Sequence, residues 1–95
     1  LNNMDYLKTK RILLVDDEEA LLDLLQTILH EEGYTNIAKA KTMSEALNNF
    51  YEFKPDIIIL DIMLPDGDGF QFLSKIRKSS DVPVLFLSAK DAMDD

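Results

Sequence analysis

Three short stretches of the chain are apolar without a break: Ile12-Leu13-Leu14-Val15, Ile57-Ile58-Ile59-Leu60 and Val84-Leu85-Phe86-Leu87. Runs of this length, with no polar alternation, fit strands buried on both faces, as in a parallel sheet. Pro83 stands at the head of the last run, where a strand tolerates a missing N–H. A weaker strand is predicted over residues 36–40. Between the runs the period changes. Leu21, Leu24, Leu25, Ile28 and Leu29 follow the spacing of one helical face, and Glu18, Glu19, Asp23, Gln26 and Glu31 take the other. Gly33 is placed to close this helix in a left-handed cap. Thr42-Met43-Ser44-Glu45 reads as a capping box, with Thr42 and Glu45 each satisfying a backbone donor of the other. It opens a helix to about Phe53, which Pro55 keeps from continuing. Asp68 is placed to cap a third helix with Phe70, Leu73 and Ile76 facing inward. Lys75, Arg77 and Lys78 fall at its C-terminal end, where positive charge suits the helix dipole. The order β-α-β-α-β-α-β implies an α/β fold with a parallel sheet and right-handed crossovers. Residues 1–10 are polar and unpatterned and are read as a flexible lead-in.

Bulk properties narrow the function. The 95 residues suit one domain. The formal net charge of −8 argues against nucleic-acid binding by this segment, because a phosphate backbone attracts Lys and Arg. It leaves room for a DNA-binding domain on a longer parent chain. The absence of Cys removes disulfide frameworks and Cys-based zinc sites. The apolar runs are far short of a membrane span. Residues 1–10 lack the apolar core of a signal peptide. A cytoplasmic location is the expectation that remains, with no membrane partner.

The candidate chemistry sits at the strand ends. The first run ends in Asp16-Asp17 and the second in Asp61. In a doubly wound sheet, ligands bind beyond the carboxyl ends of strands. If those two strands are neighbours, three carboxylates converge, and each raises the others' pKa. A hard divalent cation resolves the repulsion, and Mg²⁺ fits a few carboxylates plus water. A carboxylate beside such a cation can attack phosphorus and form an aspartyl phosphate. Ser88, after the last run, is placed to donate its hydroxyl to a phosphoryl oxygen on Asp61. Each residue also has a plainer reading. Asp17 is a candidate cap for the first helix, Asp61 a turn residue before Pro65, and Ser88 a loop residue. Asp66-Gly67-Asp68-Gly69 lacks the EF-hand spacing and reads as a loop and helix cap. His30 is expected to be solvated.

At this point the sequence resembles bacterial response-regulator receiver domains. Arg11-Ile12-Leu13-Leu14-Val15-Asp16-Asp17-Glu18 resembles their opening strand. Pro55-Asp56-Ile57-Ile58-Ile59-Leu60-Asp61-Ile62-Met63-Leu64-Pro65-Asp66-Gly67-Asp68-Gly69 resembles the phosphorylation-site strand and loop. Pro83-Val84-Leu85-Phe86-Leu87-Ser88-Ala89-Lys90 resembles the fourth strand with its switch hydroxyl. The resemblance implies a flavodoxin-like, doubly wound sheet of strand order 2-1-3-4. It implies that Asp61 takes phosphate from a sensor histidine kinase or a small phosphodonor. Asp16 and Asp17 would hold Mg²⁺ together with Asp61 and the backbone carbonyl of Met63. Ser88 would turn toward the phosphoryl group and bias a conformational switch that controls an output domain or partner. The spelling most resembles receivers joined to winged-helix DNA-binding domains.

The sequence also departs from the family pattern. It ends soon after the fourth strand, so the final α-β-α segment is expected to be missing, with the phosphate-binding lysine of that segment. Lys90 is not its substitute. Residues 11–95 are therefore read as a receiver domain incomplete at its C-terminus, and a truncated chain or a dimeric, swapped assembly would follow. Two other functions compete with a phosphoacceptor. One is a binding module that does not take phosphate. The other is a Mg²⁺-dependent aspartyl phosphatase of the haloacid-dehalogenase type. Such phosphatases need a second Asp two residues after the nucleophile, and Met63 stands there.

Overall fold

The computed structural model describes residues 5–87. Four parallel strands form the sheet: β1 (Ile12–Val15), β2 (Ile37–Ala40), β3 (Ile57–Asp61) and β6 (Val84–Leu87), in the order β2-β1-β3-β6. This is the expected 2-1-3-4 order. The last strand is β6 because a small antiparallel hairpin, β4 (Met63–Leu64) and β5 (Gly67–Asp68), intervenes. The three helices are α1 (Glu19–Glu31), α2 (Met43–Phe53) and α3 (Gly69–Ile76). None of the described helices is long and apolar enough to cross a membrane.

The unbroken apolar runs follow from helices on both faces. Leu13, Val15, Ile58 and Leu60 pack with Ala46 of α2 and Phe72 and Ile76 of α3. Ile12 and Leu14 point the other way, against Leu22, Leu25 and Leu29 of α1. Each such side chain, fully removed from water, contributes about 1.5–3 kcal/mol to the hydrophobic term. The sheet is not covered evenly. Ile58 and Leu60 are fully buried, Ile57 and Ile59 only half-buried, and Leu85 of β6 is 56% exposed.

The lower end of the sheet is clamped by polar groups. Arg11 N–H donates to the Asp56 carboxylate at 2.8 Å, and Asp56 N–H donates to the Arg11 carbonyl at 2.7 Å. The Arg11 guanidinium donates to the Lys54 carbonyl, which closes α2 in a left-handed conformation. Residues 5–9 of the expected lead-in form a 3-10 helix, Asp5–Thr9. Thr9 bonds back to the Tyr6 carbonyl, and Asn36 donates to the Thr9 carbonyl. These polar bonds, one local and one spanning 27 residues, need no apolar pattern, which is why the sequence gives no sign of them.

Helix phase is where expectation and structure part. In α1 the inward residues are Leu22, Leu25 and Leu29, while Leu24 and Ile28 are 54% and 48% exposed. The apolar arc of α1 is wider than the strip that the sheet covers, so spacing alone picked the wrong edge of it. In α3, Phe72 is fully buried and Phe70 is 57% exposed, lying beside Phe86 at a centroid distance of 5.1 Å. Phe70 follows the buried Gly69 at the start of the helix, and the inward line runs through Gly69, Phe72 and Ile76. The Thr42–Glu45 box is also half right. Thr42 accepts from Glu45 N–H at 3.1 Å, but the Glu45 carboxylate reaches past Thr42 to Lys41 N–H at 2.8 Å. The full capping box is at α3, where Asp68 and Gln71 satisfy each other's backbone donors.

The end of α1 is as expected. Gly33 has φ +97°, its N–H donates to the His30 carbonyl, and Tyr34 N–H donates to the Leu29 carbonyl at 2.9 Å. This paired closure is a Schellman motif, and Leu29 and Tyr34 share the α1-side core beneath it. Gly33→Ala is therefore expected to destabilise the protein by roughly 1 kcal/mol. Thermal melting by circular dichroism checks it, and a variant as stable as the parent would show that this cap carries no strain.

Candidate functional site

Parallel pairing sets Val15 opposite Leu60, so Asp16 and Asp61 emerge together at the carboxyl ends of β1 and β3. Asp17 is the next residue along. One carboxylate oxygen from each of Asp16, Asp17 and Asp61 lies within 4.8 Å of the others. The three differ in exposure. Asp16 is 5% exposed, Asp61 is half-buried and Asp17 is open to water.

Burial, above all, pushes the Asp16 carboxyl above the ordinary carboxylate value, and the charges of Asp61, Asp17 and Glu18 push the same way. One hydrogen bond opposes them: Glu18 N–H donates to Asp16 Oδ1 at 2.8 Å. The plainer reading of Asp17 is not realised. The N-cap position of α1 belongs to Glu18, whose side chain makes no capping bond, and Asp17 accepts none from the described residues. Among the described residues nothing pairs with its charge. Asp61 is nearly as free. Met63 N–H approaches Asp61 Oδ1 at 3.4 Å, which is long for such a bond.

The donor set is three hard oxygen ligands with no His or Cys among them, at a separation one divalent cation can bridge. The cluster can therefore hold such a cation and be relieved of its repulsion. The Met63 side chain is 66% exposed, in β4, beside the cluster. His30 is exposed on α1, as expected. Ser88 and Lys90 lie outside the described residues.

The sequence did not reveal a role for Asp66. Its carboxylate accepts from Met43 N–H at 2.6 Å and Ser44 N–H at 3.0 Å, at the N-terminus of α2. Those partners are far away in sequence, so no local motif announces them.

Comparison with known proteins agrees with this geometry. Residues 12–95 match the family described as the response regulator receiver domain. The transcriptional regulatory protein TrcR of Mycobacterium tuberculosis is 47% identical over 87 residues, covering 90% of this chain and 33% of that protein. The transcriptional regulatory protein YvrH of Bacillus subtilis is 41% identical over 81 residues, covering 85% of this chain and 34% of that protein. This chain thus spans about a third of the length of these curated relatives. Among solved structures, the non-phosphorylated HemR receiver domain of Leptospira biflexa is 41% identical. It superposes with a TM-score of 0.75, over 86% of this chain and 66% of that one.

The charge cluster predicts a pH effect of definite sign. A carboxyl raised in the folded state favours folding only while protonated, and that contribution is lost as pH rises through the folded value. Without divalent cations, Asp16→Asn should melt a few degrees above the parent at neutral pH. The gain should shrink as pH falls through the raised value of Asp16, and vanish below the ordinary carboxylate range. Melting curves across pH in a chelating buffer measure it. A variant less stable at neutral pH, with the deficit shrinking as pH falls, would show that Asp16 is held favourably as an anion.

Proposed function

This chain belongs to the response regulator receiver domain family, and from that membership we propose that it is a phosphoacceptor signalling module that takes a phosphoryl group on Asp61. One observation carries the reading: three carboxylates meet at two strand ends, and two of them, Asp17 and Asp61, are left largely unused by the described residues.

The Asp61 carboxylate is the nucleophile. It is half-buried, so its approach side is open, and the long bond from Met63 N–H holds one oxygen only loosely. In transfer from a phosphohistidine, an Asp61 oxygen forms a bond to phosphorus as the phosphorus–nitrogen bond breaks. The donor imidazole keeps the electron pair of that bond. Asp16, Asp17 and Asp61, with the Met63 backbone carbonyl, would hold Mg²⁺, which would supply positive charge against the carboxylates and the phosphoryl oxygens. Asp16 and Asp17 are spectators in the bond changes. Buried Asp16 is tied to Glu18 N–H and sets the fixed side of the site, whereas exposed Asp17 is free to adjust.

The exposed Met63 side chain has no acid or base to offer two residues beyond Asp61. That favours a stored phosphoryl group over hydrolytic turnover. The new charge would then be read by Ser88, the hydroxyl that the family resemblance assigns to biasing a two-state switch. In this reading the chain works in the cytoplasm, and its partners are a sensor histidine kinase and an output domain that binds DNA, as suits kinship with transcriptional regulatory proteins.

Intact-mass spectrometry after incubation with acetyl phosphate and Mg²⁺ tests the proposal. The parent chain should gain one phosphoryl group, Asp61→Asn none, and chelation of Mg²⁺ should abolish the gain. Phosphate on the Asp61→Asn chain would move the acceptor elsewhere, and an unmodified parent would reject an autonomous phosphoacceptor.

A further inference from the structure

We propose that Asp66 is a positioning residue for the phosphoacceptor site: it ties the segment between Asp61 and α3 to the N-terminus of α2, and so fixes where the Asp61 carboxylate and the Met63 backbone stand. The proposal rests on the reading above for what the site binds.

The segment in question is the β4-β5 hairpin, paired Met63 to Asp68 and Leu64 to Gly67. A hairpin with strands of two residues does not hold its own shape. Its near end is continuous with β3. Its far end is fixed by Asp68, which caps α3. Inside it, Gly69 N–H donates to the Ile62 carbonyl at 2.6 Å, and Leu64 is buried in the core. The turn between β4 and β5 has no comparable internal support. Its contacts are with α2.

Two independent features make that contact. The first is Asp66, whose two oxygens take one N–H each from Met43 and Ser44, the first two residues of α2. These donors have no partner within a helix. Thr42 serves the third position, accepting from Glu45 N–H. The labour is divided: Thr42 caps its own helix, and Asp66 joins the helix to the hairpin. These hydrogen bonds hold the Asp66 carboxyl below the ordinary value, so it is a full anion at neutral pH, facing the positive end of the α2 dipole. The second feature is Gly67, with φ +155°, where a Cβ would run into Met43 Cε and Gln71 Oε1. The turn lies directly on buried Met43.

The mechanical consequence follows from the chain. Only Leu64 and Pro65 separate Asp66 from Met63, whose N–H faces Asp61. Without the tie, the turn keeps only the packing of Leu64 in the core and of Gly67 on Met43, and the Met63 backbone gains freedom to move relative to the three carboxylates. Groups that orient ligands from outside the first coordination shell are typically worth 10–100-fold in metal affinity.

The test compares the full chain with Asp66→Ala, Asp66→Asn and Thr42→Ala, all checked for folding by circular dichroism. Isothermal titration with Mg²⁺ gives affinity, and hydrogen exchange at Gly69 reports on the hairpin with no metal present. Asp66→Ala should weaken Mg²⁺ binding by about 10-fold and speed exchange at Gly69. Thr42→Ala should lower the melting temperature but leave both readouts unchanged. Asp66→Asn keeps one acceptor oxygen and should fall between, and it decides the matter if Asp66→Ala does not fold. Unchanged affinity in the Asp66 variants, or an equal loss in Thr42→Ala, would falsify the positioning role. A parent chain that binds Mg²⁺ but takes no phosphoryl group rejects the phosphoacceptor reading and leaves the Asp66 result standing. A parent that binds no Mg²⁺ overturns both.

Discussion

With Val15 paired to Leu60, the residues that follow in β1 and β3 leave the sheet side by side, and both are aspartates. A slip of one residue would turn every β1 side chain to the other face and move Asp16 away from Asp61. Polarity does not forbid that slip, because β1 is apolar on both faces. The register is set at the opposite end. Arg11 and Asp56 exchange backbone and side-chain hydrogen bonds just before the two strands begin. The clamp at one edge of the sheet thus decides which charges meet at the other.

That meeting is unfavourable by itself. Asp16 is almost fully buried beside two other acidic groups, and its carboxyl is raised accordingly. Nothing in the apolar architecture requires it. The core is built by Leu13, Ile58, Leu60, Phe72 and Ile76 on one side and by Leu14 and Leu22 on the other. Stability is supplied there and given up at the strand ends, which is the pattern expected where function overrides local preference.

The sheet was legible because its signal is local. Four apolar residues in a row have few other uses, and their terminal aspartates came with them. The Gly33 cap and the Asp68 cap were legible for the same reason: each motif spans a few residues. Helix orientation was not. Leu24, Ile28 and Phe70 are as apolar as the residues that turned out to be buried, and only the position of the sheet distinguishes them. Glu45 had the right spacing for a box, yet found Lys41 N–H a better donor. Asp66 was invisible because its partners lie in another helix. The cluster of Asp16, Asp17 and Asp61 was readable only as a conditional, since it needed β1 and β3 to be neighbours.

The acidic residues of this chain therefore fall into two groups that composition cannot separate. Asp66 and Asp68 receive backbone N–H groups at helix N-termini, and their charge is consumed in holding loops to helices. From the described residues Asp17 and Asp61 receive almost nothing, and Asp16 a single bond against three neighbouring charges. The opposite directions of Asp16 and Asp66 from the ordinary carboxylate value express that division in one quantity. A carboxylate already satisfied by the protein has little to offer a ligand. One left wholly or partly unsatisfied is chemically available, and this fold brings three of them to one point.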